Sequence, residues 1–184
     1  MLRSVGFLTF ALCAALAAPS LAAAAQAASD FESLCMASHG KPVDVMAKAD
    51  AQGWASAPAV AANFAHAGES WSGREIHPAS DEYRALAAFE GPFGKAHETK
   101  CYLVTKEPFE KTAAALQRIV RFKPKSETGT ATTWEMMEMN GVVRSTRDIS
   151  PKEFDKPFRL GPQATVRVTN LNPGAILYFS EIAP

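Results

Sequence analysis

The stretch from Lys100 to Arg121, KCYLVTKEPFEKTAAALQRIVR, is the sequence feature that most constrains the fold. Its first part is a short apolar run typical of a β-strand. Its second part repeats apolar residues at the three- and four-residue spacing of a helix. Glu107 and Glu110 suit the positive end of the helix dipole, and Pro124 prevents continuation. The stretch therefore predicts a strand followed by a helix that packs one side on a sheet. The residues of that side are Phe109, Ala113, Leu116 and Val120.

Two β-hairpins are predicted in the last third of the chain. Asn140-Gly141 separates two runs rich in β-branched and aromatic residues, and both residues of such a turn must accept positive φ. Asn172-Pro173-Gly174 separates two further runs, the first of which alternates apolar and polar residues. An earlier hairpin is predicted around Gly91-Pro92. The predicted strands are 83–90, 96–105, 130–139, 142–147, 164–169 and 175–182.

A pair of helices is predicted ahead of these strands. Ser29 and Glu32 fit a capping box that starts the first helix, and Gly40 suits its left-handed end. Pro42 suits the first turn of the second helix, which ends at Gly53. Both helices would present apolar residues to the core on one side.

Residues 55–80 are the least regular part of the sequence. We predict mainly loop there, with a short helix at 59–65 and Trp71 as an anchor. The whole order is helix pair, hairpin, helix and two hairpins, which indicates an α+β architecture. We predict a mainly antiparallel sheet of five or six strands, with the central helix packed on one face and the opposite face partly open. The N-terminal helix pair would be tied on by a disulfide.

The N-terminal segment predicts the destination of the protein. A positive start at Arg3, an apolar run over 5–18 and small residues near Ala27 have the layout of a secretory signal peptide. An uncleaved membrane anchor is the alternative, because the segment is long enough to span a bilayer. We predict that residues 1–27 are cleaved and that 28–184 form a single exported α+β domain, secreted or periplasmic.

Two cysteines remain after that cleavage, Cys35 and Cys101, whereas Cys13 lies in the predicted signal peptide. In an oxidising compartment two thiols in a small domain usually form one disulfide. Such a bond across a long loop is worth about 4 kcal/mol by the chain-entropy argument. We therefore predict a Cys35–Cys101 disulfide.

The charge balance limits the classes of partner. The chain has 19 basic and 19 acidic residues, so no basic excess favours nucleic acid. No later segment has the length of a membrane span, and we predict no transmembrane segment after signal cleavage. The expected partners are an unknown protein, an envelope component or a small ligand.

The sequence contains no local catalytic signature. It lacks a G-x-S-x-G elbow, a phosphate-binding glycine loop and a dinucleotide fingerprint. Cys35 and His39 stand one helical turn apart, where a Cys–His nucleophile is conceivable. The simpler interpretation is that Cys35 is oxidised and His39 is a polar residue at a helix end, and we adopt it.

Two patterns raise the question of a metal. His66 and Glu69 have H-x-x-E spacing that His77 and His97 could complete, but a glycine-containing loop gives no fixed geometry for zinc. The run 134–139 holds three methionines, and methionine with histidine can bind copper in oxidising compartments. Core packing explains most of this run, so the sequence predicts no metal and no cofactor.

Trp71, Arg74 and His77 are the weak binding candidates, because an exposed aromatic beside an arginine is common at contact sites. The alternative is that Trp71 seals the sheet edge. The first functional hypothesis is a non-enzymatic binding or cell-envelope-associated protein. The second is an exported hydrolase assembled from distant residues, with His66, His77 or His97 as base. A histidine buried in a cleft beside a carboxylate or serine would favour the hydrolase.

Overall fold

The computed structural model describes residues 19–65, 69–78, 80–139, 141–150, 152 and 161–183. Most of the predicted signal peptide, with Cys13, lies outside these residues. His66 and Asn140 lie outside them as well.

One antiparallel sheet of nine strands organises the described residues. The predicted α+β class with a mainly antiparallel sheet is confirmed, but the count of five or six strands is wrong. The additional strands are β1, β2 and β5. The strands are β1 (Ala55–Ser56), β2 (Ser70–Ile76), β3 (Arg84–Phe93), β4 (Ala96–Thr105), β5 (Ser126–Glu127), β6 (Ala131–Met139), β7 (Val142–Ser145), β8 (Gln163–Asn170) and β9 (Ala175–Ala183).

Four helices and two 3₁₀ turns accompany the sheet in the described ranges. They are α1 (Pro19–Leu34), α2 (Pro42–Ala51), α3 (Pro58–Ala62) and α4 (Phe109–Val120), with 3₁₀ turns at Met36–Ser38 and Thr146–Asp148. The second and central helices lie where the sequence predicts them. The predicted start of the first helix at Ser29 is wrong, because α1 is already helical from Pro19.

Asp30, the residue after the predicted cap Ser29, attaches α1 to the sheet. Asp30 is buried, and its Oδ2 lies 2.7 Å from Nε of Arg84 on β3. Gln26 Nε2 donates a hydrogen bond of 2.8 Å to the other oxygen, Oδ1. A buried carboxylate needs such partners, so Asp30 joins α1 to the sheet rather than starting a helix.

Helices α1, α2 and α4 all lie on one side of the sheet, which we call the first face. Helix α2 packs on β2 and β3, α4 packs on β8, and α1 contacts both other helices and β4. Helix α4 therefore packs on one face of the sheet as predicted, and α1 lies between α4 and α2. Small residues allow this close packing of α1, among them the fully buried Ala27. None of the described helices is long and apolar enough to cross a membrane.

The predicted disulfide between Cys35 and Cys101 is confirmed. The two Cα atoms lie 5.5 Å apart, and the bond joins the end of α1 to the middle of β4. Cys101 pairs with Phe179 on β9, so the bond reaches the centre of the sheet. It anchors the chain at the point where α1 gives way to the 3₁₀ turn.

The sheet has an approximate twofold arrangement about the Cys101–Phe179 pair. Strands β4 and β9 are neighbours at the centre, β3 and β8 flank them, and β2 and β6 follow. Cys101 pairs with Ala88 on β3, and Phe179 pairs in the same way with Val166 on β8. We call β2, β3 and β4 the N-terminal half-sheet and β6, β8 and β9 the C-terminal half-sheet. Residues that pair side by side across the strands of one half form a row. Each such row therefore has a counterpart in the other half.

Among the described residues, a helix covers the second face of the sheet only in the N-terminal half, although Met137 on the second face of β6 is also fully buried. Helix α3 packs on β2 and β3, and a second apolar cluster forms from Ala61, Ala87 and Phe89. Phe64 extends this cover, with its ring centroid 4.8 Å from that of Tyr102. No described helix lies on the second face of the C-terminal half-sheet, and the partly open face stays a prediction.

Candidate functional site

A cavity of about 160 Å³ lies at the end of the first face, in the C-terminal half-sheet. Three strands form its floor, and the 3₁₀ turn after α1 lies over it. We call it the methionine cavity. Its lining residues are Met36, His39, Met136, Met137, Glu138, Val143, Pro162, Ala164, Phe179 and Glu181.

The floor of the methionine cavity is a row of three side chains across β6, β8 and β9. Met136 pairs with Ala164, and Ala164 pairs with Glu181. This row lies two residues beyond Phe179 along β9. Ala164 has a small side chain and Glu181 an acidic one, so the row contains only one large apolar group. Space remains above it for that reason.

The roof depends on an unusual backbone conformation at His39. His39 has φ 52° and Gly40 has φ 65°, so two consecutive residues turn the chain in the left-handed region. The Gly40 amide donates to the Cys35 carbonyl, and Thr99 Oγ1 donates to the His39 carbonyl. A Cβ at Gly40 would lie 3.2 Å from the Phe179 ring, which keeps glycine there. A non-glycine residue at positive φ is uncommon and is held here by its neighbours.

The rim of the methionine cavity carries an imidazole–carboxylate pair. His39 Nδ1 lies 2.9 Å from Glu181 Oε2. The imidazole is 59% exposed, whereas the Glu181 side chain is only 16% exposed. Glu181 therefore holds the exposed ring in a fixed orientation at the entrance. No described residue other than Glu181 bonds to the ring.

The walls are apolar and rich in thioethers. Met136 and Met137 are buried, and Met36 is half-buried on the 3₁₀ turn. Alternation along β6 places Met136 on the first face and Met137 on the opposite side of the strand. Met36 and Met136 are thus the methionines whose side chains share the cavity side of the sheet with His39.

A second group of polar residues lies on the second face, at the centre of the sheet. Lys100 is buried and forms ion pairs with Glu69 and, at 4.0 Å, with Glu98. Tyr102 and Tyr178 lie beside it, with ring centroids 4.9 Å apart. Burial raises the pKa of both tyrosines above the ordinary value, and nearby acidic groups add to the effect. The charge of Lys100 is balanced by its two carboxylate partners, and both tyrosines keep their hydroxyl proton. These residues therefore stabilise the centre of the sheet, and Lys100 is not left there as an unpaired charge.

The three weak binding candidates do not come together. Trp71 lies on the second face of β2 and is 41% exposed. Arg74 lies on the first face, where its Nε contacts Asp50 Oδ1 of α2 at 2.6 Å and lowers the pKa of that carboxyl. His77 follows β2 and is exposed. The structure thus gives Arg74 a packing partner and leaves Trp71 and His77 at separate positions.

The predicted histidine bases also lie apart. His97 is 55% exposed, and its Nε2 lies 3.8 Å from Glu90 Oε2. Glu69 forms an ion pair with Lys100. Within the same residues, no three histidine, cysteine, aspartate or glutamate side chains converge as metal ligands. Cys35 is in the disulfide, as the simpler interpretation of the Cys35–His39 spacing expected.

The sequence reasoning missed the methionine cavity as a site. It noted the methionine run and it noted His39, but about a hundred residues separate them in the chain. Only the pairing of β6, β8 and β9 under the turn of Met36–Ser38 brings them together. No protein-family model, curated protein or solved structure matches this chain.

Proposed function

We propose that the protein is an exported, non-enzymatic ligand-binding domain whose ligand enters the methionine cavity. The observation that carries the proposal is an apolar cavity with one oriented polar pair, His39–Glu181, at its rim. Small-molecule sites usually have this form, with apolar walls and a few placed polar groups.

The size of the cavity limits the ligand. An engineered apolar cavity of about 150 Å³ binds benzene or xenon, and the methionine cavity has about 160 Å³. The ligand, or the part of it that enters, is therefore no larger than a small aromatic ring system or a branched alkyl group. Methionine side chains are flexible and polarizable, which suits a wall that adapts to its occupant.

The hydrolase hypothesis has less support. His39, His77 and His97 are all exposed. His39 does lie beside the Glu181 carboxylate at the cavity rim, but its imidazole is 59% exposed rather than buried in a cleft. His66 lies outside the described residues and gives no argument in either direction.

The binding proposal is tested by NMR of ¹³C-methyl methionine in the purified protein, with indole as a small aromatic probe. Binding in the cavity predicts saturable shifts of the Met36 and Met136 methyl signals. An Ala164→Leu variant fills the floor and should abolish these shifts. An Ala114→Leu variant adds the same side chain to an exposed position of α4 and should leave them unchanged. Shifts that persist in Ala164→Leu, or no shifts in the wild type, would contradict the proposal.

Export is a separate part of the proposal. Ala27 and Ala28, on either side of the expected cleavage point, are buried within α1. Cleavage there would remove the buried Ala24 and Ala27 and the Gln26 side chain that bonds to Asp30, so the mature helix would begin near Ala28 and would keep the Asp30–Arg84 pair. Intact-mass analysis of protein recovered from a periplasmic fraction should give a chain that starts near Ala28. Recovery of the chain with Met1 from that fraction would contradict cleavage.

A further inference from the structure

The lining of the methionine cavity includes soft donor groups. Met36 and Met136 each bring a thioether sulfur to the cavity side of the sheet, and His39 brings an imidazole. Thioethers are soft ligands that favour Cu(I), and imidazole also binds copper. Cys35 and Cys101 are joined to each other, so thiolates do not compete within the described part of the chain.

The imidazole has the orientation expected of a metal ligand. Histidine ligands almost always donate their other ring N–H to a carboxylate, carbonyl or water, which fixes the tautomer. Glu181 Oε2 lies 2.9 Å from Nδ1 of His39 and can accept the hydrogen bond from it. The other ring nitrogen, Nε2, can then coordinate a metal ion. The ring is attached to a backbone held at φ 52°. Backbone strain of this kind is concentrated at functional sites.

Hard or borderline metal ions do not fit this donor set. Zinc sites need three or four nitrogen, thiolate or carboxylate ligands, and calcium and magnesium need oxygen. The described residues bring no three such groups together. Glu181 is engaged with His39. Glu138 also lines the cavity, but it is exposed, and the donors that remain are the thioethers of Met36 and Met136 and one imidazole nitrogen.

We propose that the ligand of the methionine cavity is Cu(I), held by the thioethers of Met36 and Met136 and by Nε2 of His39, with Glu181 as the positioning residue. The inference rests on the proposed function, because it names the ligand of the same cavity. It goes beyond the sequence, which predicted no metal. Methionine has three rotatable bonds, and the two sulfurs can converge on one ion within this volume.

The test is a competition for Cu(I) against bicinchoninate, with ascorbate as reductant so that the disulfide stays intact. Wild-type protein should withdraw one Cu(I) per chain from the coloured complex. Met36→Leu and Met136→Leu keep the volume but remove a sulfur, and each should lose at least about tenfold in affinity. Glu181→Gln should also lose about tenfold, as removal of an outer-shell partner usually does.

The matched control is Met46→Leu, since Met46 is a methionine of similar burial on α2 that does not line the cavity. It should bind Cu(I) as the wild type does. Equal losses in Met46→Leu and Met136→Leu, or no withdrawal of Cu(I) by the wild type, would overturn the metal proposal.

The indole titration separates the two proposals. In Met136→Leu the cavity stays apolar and of similar size, so indole shifts at Met36 should persist while Cu(I) binding falls. Indole binding in the wild type without Cu(I) binding would overturn the metal and leave the cavity as the ligand site. Absence of both would overturn both proposals.

Discussion

In the N-terminal half-sheet, the row two residues beyond Cys101 consists of Arg74, Leu86 and Leu103, whereas its counterpart in the C-terminal half-sheet is the floor of the methionine cavity. Leu86 and Leu103 are fully buried. Their counterparts are the small Ala164 and the acidic Glu181. The same backbone arrangement is therefore filled in one half and left with a cavity in the other.

On the second face the sizes of the side chains are reversed in one pair of rows: the row of the N-terminal half has the small residues and its counterpart in the C-terminal half has the larger ones. The row of Gly73 and Ala87 lies under α3, and a Cβ at Gly73 would stand 2.4 Å from the Ala57 carbonyl oxygen. The counterpart row contains Glu135 and Thr165, both half-buried at the surface. Small side chains permit a cover in the N-terminal half, and larger polar ones stand where that cover would lie.

These two differences are the reason why we propose a binding site in the C-terminal half-sheet. The N-terminal half uses leucine, glycine and alanine to pack both faces closely. The C-terminal half exchanges a leucine for alanine and places methionine and glutamate around the resulting space. A few residue types at equivalent positions thus separate a packed core from a cavity on one shared framework.

The largest expected loss of stability comes from removing the bond at the centre of both halves. A Cys35→Ala/Cys101→Ala double variant should lose about 4 kcal/mol, because the bond restricts a long loop in the unfolded chain, with 66 residues of separation. Denaturant unfolding measures the loss. Unchanged stability would show that the turn over the cavity is held without the disulfide.

The next largest change in stability distinguishes the row that contains Leu86 from its counterpart, which contains Ala164. Leu86→Ala should lose about 3 kcal/mol, since it opens a cavity in a filled row. Ala164→Leu should change stability by no more than about 1 kcal/mol, because space is already present for the added atoms. Thermal and denaturant unfolding of the pair measure this. Similar losses in the two variants would refute the claimed difference in packing.

A smaller effect is expected from the two second faces. Gly73→Ala should lose about 2 kcal/mol, because the added methyl group meets the backbone of the segment that enters α3. Glu135→Ala should stay within about 0.5 kcal/mol, as a surface change usually does. Its ion pair with Lys125 is partly exposed and contributes little. Comparable losses would mean that the two second faces are covered alike.

The smallest effect appears only in alkali. Burial raises the pKa of Tyr178 in the folded protein. The contribution of Tyr178 to the free energy of unfolding is therefore fully present below the pKa of about 10 that the side chain has in the unfolded chain. It is lost as the pH rises through that value and above it. Tyr178→Phe should flatten the fall in stability above pH 10 and leave its pH dependence near pH 7 unchanged. A steeper fall in the variant would contradict the assigned burial.

Much of the fold followed from local patterns in the sequence. Strand β4 and helix α4 lie where predicted because their signals come from neighbouring residues. Strand β2 was missed because its two faces carry Gly73 and Arg74 instead of alternating apolar residues, and each meets a helix that precedes β2 in the chain. The start of α1 was placed too late because an alanine-rich segment suits both a signal peptide and a packed helix.

Most of the methionine cavity could not be predicted from the sequence, and the reason is physical. The cavity results from the absence of bulk at Ala164, and an alanine in a strand carries no local sign of what it faces. The approach of His39 to Glu181 depends on the disulfide, the left-handed turn and the register of β9 together. Sequence reasoning found the methionines and the cysteines separately.

The most direct test of the central claim, that the C-terminal half-sheet holds a ligand cavity and the N-terminal half-sheet does not, is a crystal structure under xenon pressure. Xenon enters dry apolar cavities of this size. One xenon peak beside Met136 and Ala164, with none at Leu86 and Leu103, is the predicted result. An empty methionine cavity, or equal occupancy at both rows, would contradict the account.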